Sequence, residues 1–155
     1  EKQTMRASSI RKALPQDEKA IREIAEAAYG IYLERMDKKP APMLEDYAAR
    51  IAAGQAYALD DGKCVQAFMV LVPQDGETML LDNIAVRPQC QKSGYGMALM
   101  SRAEHIARDA GKKWIILYTN EAMHENLAWY PRLGYEDFEH RTENGYRRVY
   151  FRKAL

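Results

Sequence analysis

Six residues, Gln91-Lys92-Ser93-Gly94-Tyr95-Gly96, stand between an apolar, strand-like run and an amphipathic helical stretch. Their types suit the holding of phosphate. Two glycines let the backbone turn tightly and leave no side chain over the turn. A helix that follows such a turn aims its unpaired N–H groups, and about half an elementary positive charge, back at the loop. Gln91 can add a side-chain amide. Lys92 can reach a phosphate or stand solvated. Two common phosphate turns do not fit. The dinucleotide fingerprint needs a small residue where Leu99 stands, and it follows the first strand of a βαβ unit. The P-loop needs Lys-Ser or Lys-Thr after its last glycine, whereas Lys92-Ser93 precedes Gly94. Spacing alone is equally that of a plain strand-to-helix turn.

The loop needs a strand before it and a helix after it, and both are legible. Met79 to Val86 reads as the strand, and Leu99, Ala103, Ile106 and Ala110 share one helical face that Gly111 can end. Upstream, Met5 to Leu14 reads as an edge strand stopped by Pro15. Asp17 is placed to cap a helix carrying Ala20, Ile21, Ile24, Ala25 and Ala28. Leu44 to Ala53 reads as a second helix closed by Gly54. Gln55 to Asp60 and Cys64 to Val72 are strands joined through Asp60-Asp61-Gly62, and Asp75-Gly76 turns the chain into the third. Downstream, Trp114 to Thr119 reads as a strand buried on both faces. Glu125 to Leu133 is a short helix capped by Gly134. Tyr135 to Arg141 and Tyr146 to Lys153 form a hairpin through Asn144-Gly145.

The 155 residues suit one domain, 1–155, with room for a core that needs no disulfide or metal. A net charge of +1 argues against a general polyanion binder, so no nucleic-acid partner is expected. Basic residues crowd the last third, with acidic ones interleaved, as on a solvated strand face. Cys64 and Cys90 lack metal-ligand partners at short spacing, and free thiols suit a reducing compartment. With no apolar run near membrane-spanning length, the expected location is the cytoplasm, with no membrane partner.

Ile84-Ala85-Val86-Arg87-Pro88 leads into Gln91-x-x-Gly94-x-Gly96, and Tyr130-Pro131-Arg132-Leu133-Gly134-Tyr135 follows after an intervening strand. This pair of motifs resembles the two signatures of the GNAT superfamily, the general N-acetyltransferases that use acetyl-coenzyme A. The resemblance spans nearly the whole chain. It implies an α+β fold: a mixed, mostly antiparallel sheet of about six to seven strands, about four flanking helices, and a splay between the two central strands.

It also implies roles for particular residues. Gln91, Lys92, Ser93, Gly94, Tyr95, Gly96 and Met97 would hold the coenzyme pyrophosphate. The pantetheine arm would lie along Ile84, Ala85 and Val86, with an N–H near Ile84 or Ala85 polarising the thioester carbonyl. Tyr130 falls on the position of the acid that protonates the leaving thiolate, or it packs beside Trp129. The chain departs from the pattern at Met123 and Asn126, where members often carry Asn and Ala. Asn126 would then either contact the coenzyme or cap a helix. Asp82, Glu121 and Glu125 are candidates for the base that deprotonates the acceptor amine. Tyr29, Tyr32 and Tyr47, with Met36 and Tyr146, would line the acceptor side. The implied acceptor is a small-molecule or peptide amine, and the implied cosubstrate is acetyl-coenzyme A without a metal. A homodimer is compatible with these features. A binding module that keeps the coenzyme pocket without turnover is the alternative on the same fold.

Overall fold

The computed structural model describes residues 9–155. The elements run β1 (Ser9–Lys12), α1 (Glu18–Tyr29), α2 (Tyr47–Ala52), β2 (Ala56–Asp60), β3 (Val65–Pro73) and β4 (Thr78–Val86), then α3 (Tyr95–Asp109), β5 (Trp114–Asn120), α4 (His124–Arg132), β6 (Glu136–Glu143) and β7 (Tyr146–Ala154). Of the first strand anticipated from Met5, residues 5–8 lie outside the described residues. The element order is the one anticipated, and the ends move by a few residues. The second helix starts at Tyr47 rather than Leu44, because Asp46 caps it by accepting from the Ala49 N–H at 3.1 Å. Asp17 precedes α1 as expected but does not cap it. Its carboxylate turns back to the Leu14 N–H (2.7 Å) and Arg11 (2.6 Å), and Arg11 also reaches Asp60 (3.2 Å). One guanidinium thereby ties β1 to β2 and to the start of α1. Asn144 and Gly145 both take positive φ (52° and 82°), which matches the twist of the β6–β7 hairpin they close.

The seven strands form one sheet in the order β1-β2-β3-β4-β5-β7-β6. All neighbours are antiparallel except β4 and β5. Helices cover both faces. Ile21, Ile24, Ala25 and Tyr29 of α1, with Tyr47 and Ile51 of α2, pack on Ala58, Phe68, Val70 and Ala85. Leu99, Met100, Ala103 and Ala107 of α3, with Tyr130 of α4, pack on Met79, Leu81, Ile115 and Leu117 on the opposite face. The expectation for β5 is corrected here. Only Ile115, Leu117 and Thr119 are buried, and the alternate residues Trp114, Ile116, Tyr118 and Asn120 are half-buried. The opposite face of β5 is therefore only partly covered, and Tyr118 is available to a cavity.

Two features of β4 open the sheet. Its pairing with β5 runs from Thr78/Trp114 only as far as Leu81/Leu117, although both strands continue. Just there, Val70 pairs with Asn83 and Leu71 with Leu81, so Asp82 is the extra residue of a β-bulge. An extra residue reverses the alternation of the strand. Met79 and Leu81 face the α3 core, whereas Asn83 and Ala85 face α1 and α2. The V-shaped gap between the diverging strands is where the site forms.

Candidate active site

The loop after β4 sets one side of the gap. Gly94 lies at φ +86°, a left-handed conformation that a side chain would strain, and it opens α3. At Gly96 the requirement is room: a Cβ would stand 3.3 Å from the Trp129 ring, so glycine lets the first turn of α3 close against α4. The loop uses some of its donors internally. The Ser93 N–H (3.1 Å) and hydroxyl both go to the Cys90 carbonyl, and the Gln91 N–H goes to the Pro88 carbonyl. Ser93 is thereby a strut of the turn rather than a ligand donor. Among the described residues no backbone carbonyl accepts from the N–H groups of Lys92, Gly94, Tyr95, Gly96 or Met97. Four consecutive free donors, Gly94 to Met97, at the start of a fifteen-residue helix, with Lys92 just before them, make an anion-binding end.

From this loop a groove runs along β4, lined by Gln91, Lys92, Ile84, Ala85 and Val86 on one side and by Tyr32, Asn126, Trp129 and Arg132 on the other. The register of β4 decides which of its peptides face the groove. The Arg87 N–H bonds to the Gln66 carbonyl (2.9 Å), and Phe68 stands opposite Ala85. In an antiparallel pair, hydrogen-bonded and free positions alternate. Ala85 therefore turns its peptide groups to β3, and Ile84 and Val86 turn theirs into the gap. The outward carbonyls confirm the phase: the Tyr29 hydroxyl donates to the Ile84 carbonyl (2.9 Å) and Gln91 Nε2 to that of Val86 (3.4 Å). The exposed strand donor is the N–H of Ile84, not Ala85.

Beyond the groove, on the α1–α2 face, lies a chamber of about 40 Å³, open to solvent. Asp82 and Asn83 of β4, Tyr118 of β5, and Tyr146 and Arg148 of β7 line it, with Met36 and Pro42 from the segment between α1 and α2. That segment is tied across to the hairpin. The Tyr146 hydroxyl donates to the Lys39 carbonyl (2.5 Å), and Lys38 donates to the Asn144 carbonyl while lying 4.6 Å from the Tyr146 ring centre. A further strap, Arg35 to both oxygens of Glu125 (2.8 and 3.0 Å), spans to α4.

Tyr130 stands between the two spaces. It lines both groove and chamber, as do Tyr29, Ile84 and Asn126. Its ring packs on Trp129, Tyr135 and Phe151, but among the described residues its hydroxyl has no hydrogen-bond partner. Burial raises its pKa well above the usual phenol value, with a smaller contribution from Tyr32. Asn126 does not act as a cap. Its Nδ2 donates to the Thr119 hydroxyl (3.2 Å), which leaves its carbonyl oxygen free at the same junction.

Of the three carboxylates considered for proton abstraction, Asp82 alone lines the chamber. It accepts from the Tyr118 hydroxyl (2.8 Å) and lies 3.6 Å from Arg50. Glu125 is held by Arg35, which pushes its pKa down to about 2, and Glu121 pairs with Arg147 in solvent (3.3 Å). The three tyrosines anticipated on the acceptor side separate. Tyr29 reaches the chamber, and Tyr32 lines the groove. Tyr47 is a correction. It is fully buried and lines neither space. Its hydroxyl accepts from Asn83 Nδ2 (2.7 Å) and donates to the Pro42 carbonyl (2.5 Å), and Asn83 in turn accepts from Tyr29 (2.8 Å). Tyr47 therefore braces β4 at the bulge. Among the described residues no cluster of His, Cys, Asp and Glu is arranged to hold a metal ion, and no helix is long and apolar enough to cross a membrane.

A family model described as "Acetyltransferase (GNAT) family" matches residues 18–135. The chain belongs to this acetyltransferase family. A mycothiol acetyltransferase from Thermobifida fusca is 38% identical over 56 residues, a match that spans 36% of this chain and 17% of that protein. Among solved structures, the PaiA N-acetyltransferase from Thermoplasma acidophilum, determined in complex with coenzyme A, superposes with a TM-score of 0.80 at 15% identity, covering 96% of this chain and 99% of that one. The ribosomal-protein-S18-alanine N-acetyltransferase from Escherichia coli gives 0.73 at 18% identity, with 96% and 94% covered. At these identities the superpositions establish the fold alone.

Within this GNAT chain, no sequence motif marks Tyr118, Arg148 or Arg50 as site residues, and Arg132 stands at a variable position of the second signature. The one phenol in the apolar run Trp114 to Thr119 is the signal that could have found Tyr118. The others come from distant elements, and no local spacing joins them to Asp82.

Proposed function

We propose that this chain transfers the acetyl group of acetyl-coenzyme A to a primary amine by direct attack in a ternary complex. The observation that carries the proposal is the place of Tyr130, which lines both the groove that begins at the glycine loop and the separate chamber holding Asp82, and whose hydroxyl has no partner among the described residues. An enzyme that passes a group between two bound molecules needs such a junction. The free N–H groups of the loop suit the pyrophosphate, with Lys92 beside them. The Ile84 N–H suits the thioester oxygen, where a single donor contributes about 3 kcal/mol to lowering the barrier. In this reading Asp82 takes the amine proton, directly or through water. Tyr130 protonates the departing sulfur. Burial makes its phenol a weaker acid, but the same dry surroundings make a thiolate a stronger base, so the two shift together.

The test is a panel of primary amines with thiol release as the readout. Amine-dependent release supports the reading. Tight binding of acetyl-coenzyme A with no release across the panel would assign the chain to the non-catalytic, acyl-coenzyme-A-binding alternative.

A further inference from the structure

The chamber holds two charges of opposite sign against one ring. The Tyr118 hydroxyl donates to Asp82 at 2.8 Å, and the Arg148 guanidinium carbon lies 4.3 Å from the centre of the same ring. Arg148 is fixed in place: its side chain is 15% exposed, and it is also stacked 5.3 Å from the Tyr146 ring centre. It is only partly paired. Nη1 reaches Glu143 at 3.2 Å, and Glu143 is itself engaged by the Tyr150 hydroxyl. Among the described residues nothing accepts from its Nε or Nη2, so one edge of a guanidinium fork is free in the chamber. Such an edge matches a carboxylate, with two parallel donors to two oxygens.

We propose that the acceptor is an amino-carboxylate, a free amino acid or a compact relative, whose carboxylate binds the open edge of Arg148 while its amine lies against Asp82. Both charges contact the same phenol, which suits an amine and a carboxylate a few atoms apart with a hydrogen bond at each end. The ties from Lys38 and Lys39 to Asn144 and Tyr146 fasten the segment between α1 and α2 to the hairpin beside the chamber, which favours a small molecule over a lysine on a folded protein surface. Arg50 beside Asp82 and Glu143 beside Arg148 keep the chamber close to neutral. A zwitterion of zero net charge suits that balance better than a simple cationic amine does.

This inference rests on the acetyl-transfer reading and deepens it. The experiment compares kcat/KM for a set of amino acids with that for their methyl esters and for the decarboxylated amines, in the wild type and in Arg148→Gln and Arg148→Lys. The free acids are expected to exceed their esters by about 10- to 100-fold in the wild type, as charge-assisted hydrogen bonds of this kind support. Arg148→Gln is expected to collapse that ratio towards one. Arg148→Lys, which keeps the charge but not the fork, should leave an intermediate ratio, and its coenzyme affinity serves as the check on folding. Transfer to esters and amines as fast as to the acids, with a ratio unmoved in both variants, would overturn the inference and leave acetyl transfer standing. No transfer to any amine would overturn both.

Discussion

Replacing Tyr130 by phenylalanine removes one oxygen from the junction and little else. The ring contacts with Trp129, Tyr135 and Phe151 survive, and the hydroxyl has no partner among the described residues to leave unsatisfied. Loss of an unpaired hydroxyl from a buried site changes stability by less than about 0.5 kcal/mol, because no protein hydrogen bond is broken. A melting temperature within about 2 °C of wild type follows for a chain of this size. Turnover is another matter. A positioned proton donor contributes about 10²- to 10⁴-fold, which corresponds to about 3–5 kcal/mol of barrier. Coenzyme affinity should hold, since the substitution leaves the loop's N–H groups untouched. The assay is thiol release at saturating amine, with calorimetric coenzyme binding and thermal melting on the same preparations. Turnover equal to wild type would return Tyr130 to a packing role. A large fall in melting temperature would show that the hydroxyl has a partner and refute the reasoning.

Gly94→Asp should abolish coenzyme binding, because a carboxylate would meet the pyrophosphate and the left-handed φ of +86° disfavours any side chain; unchanged affinity in a titration would sink the loop assignment. Tyr47→Phe should cost about 2 kcal/mol by orphaning Asn83 Nδ2. It should lower the melting temperature by about 4–8 °C with coenzyme affinity intact, and a variant as stable as wild type would contradict the bracing role. Burial raises the pKa of Tyr29, Tyr47, Tyr118, Tyr130 and Tyr135 above 10.0. Below pH 10 both folded and unfolded phenols are protonated and add no pH dependence. Above it the unfolded state ionises first, so stability should fall by up to about 1.4 kcal/mol per pH unit for each such tyrosine. Denaturant melts between pH 9 and 11 would show this, and a flat profile would contradict it.

The parts legible in the sequence are those written by local chemistry. Gly94 and Gly96 mark the loop because backbone geometry and close packing admit nothing larger, and Asn144-Gly145 marks its hairpin for a similar reason. The spacing of Ile21, Ile24, Ala25 and Tyr29 marks the buried face of α1. The parts that stayed hidden depend on contacts distant along the chain. Tyr47 looks like a wall residue until Asn83 is placed beside it. Asp17 looks like a cap until Arg11 claims its carboxylate. The bulge at Asp82, which turns one strand face into another, has no signature in Leu81-Asp82-Asn83. Arg148 sits in a basic, strand-like run, and only the order β4-β5-β7 brings it together with Asp82 at Tyr118.

The most direct measurement follows a labelled acetyl group from acetyl-coenzyme A into product while thiol release is counted in the same reaction. Label is expected in an amide, equal to the thiol released, with both dependent on the amine and both strongly reduced in Tyr130→Phe. Saturable binding of acetyl-coenzyme A with no amine-dependent label in any product would contradict that expectation.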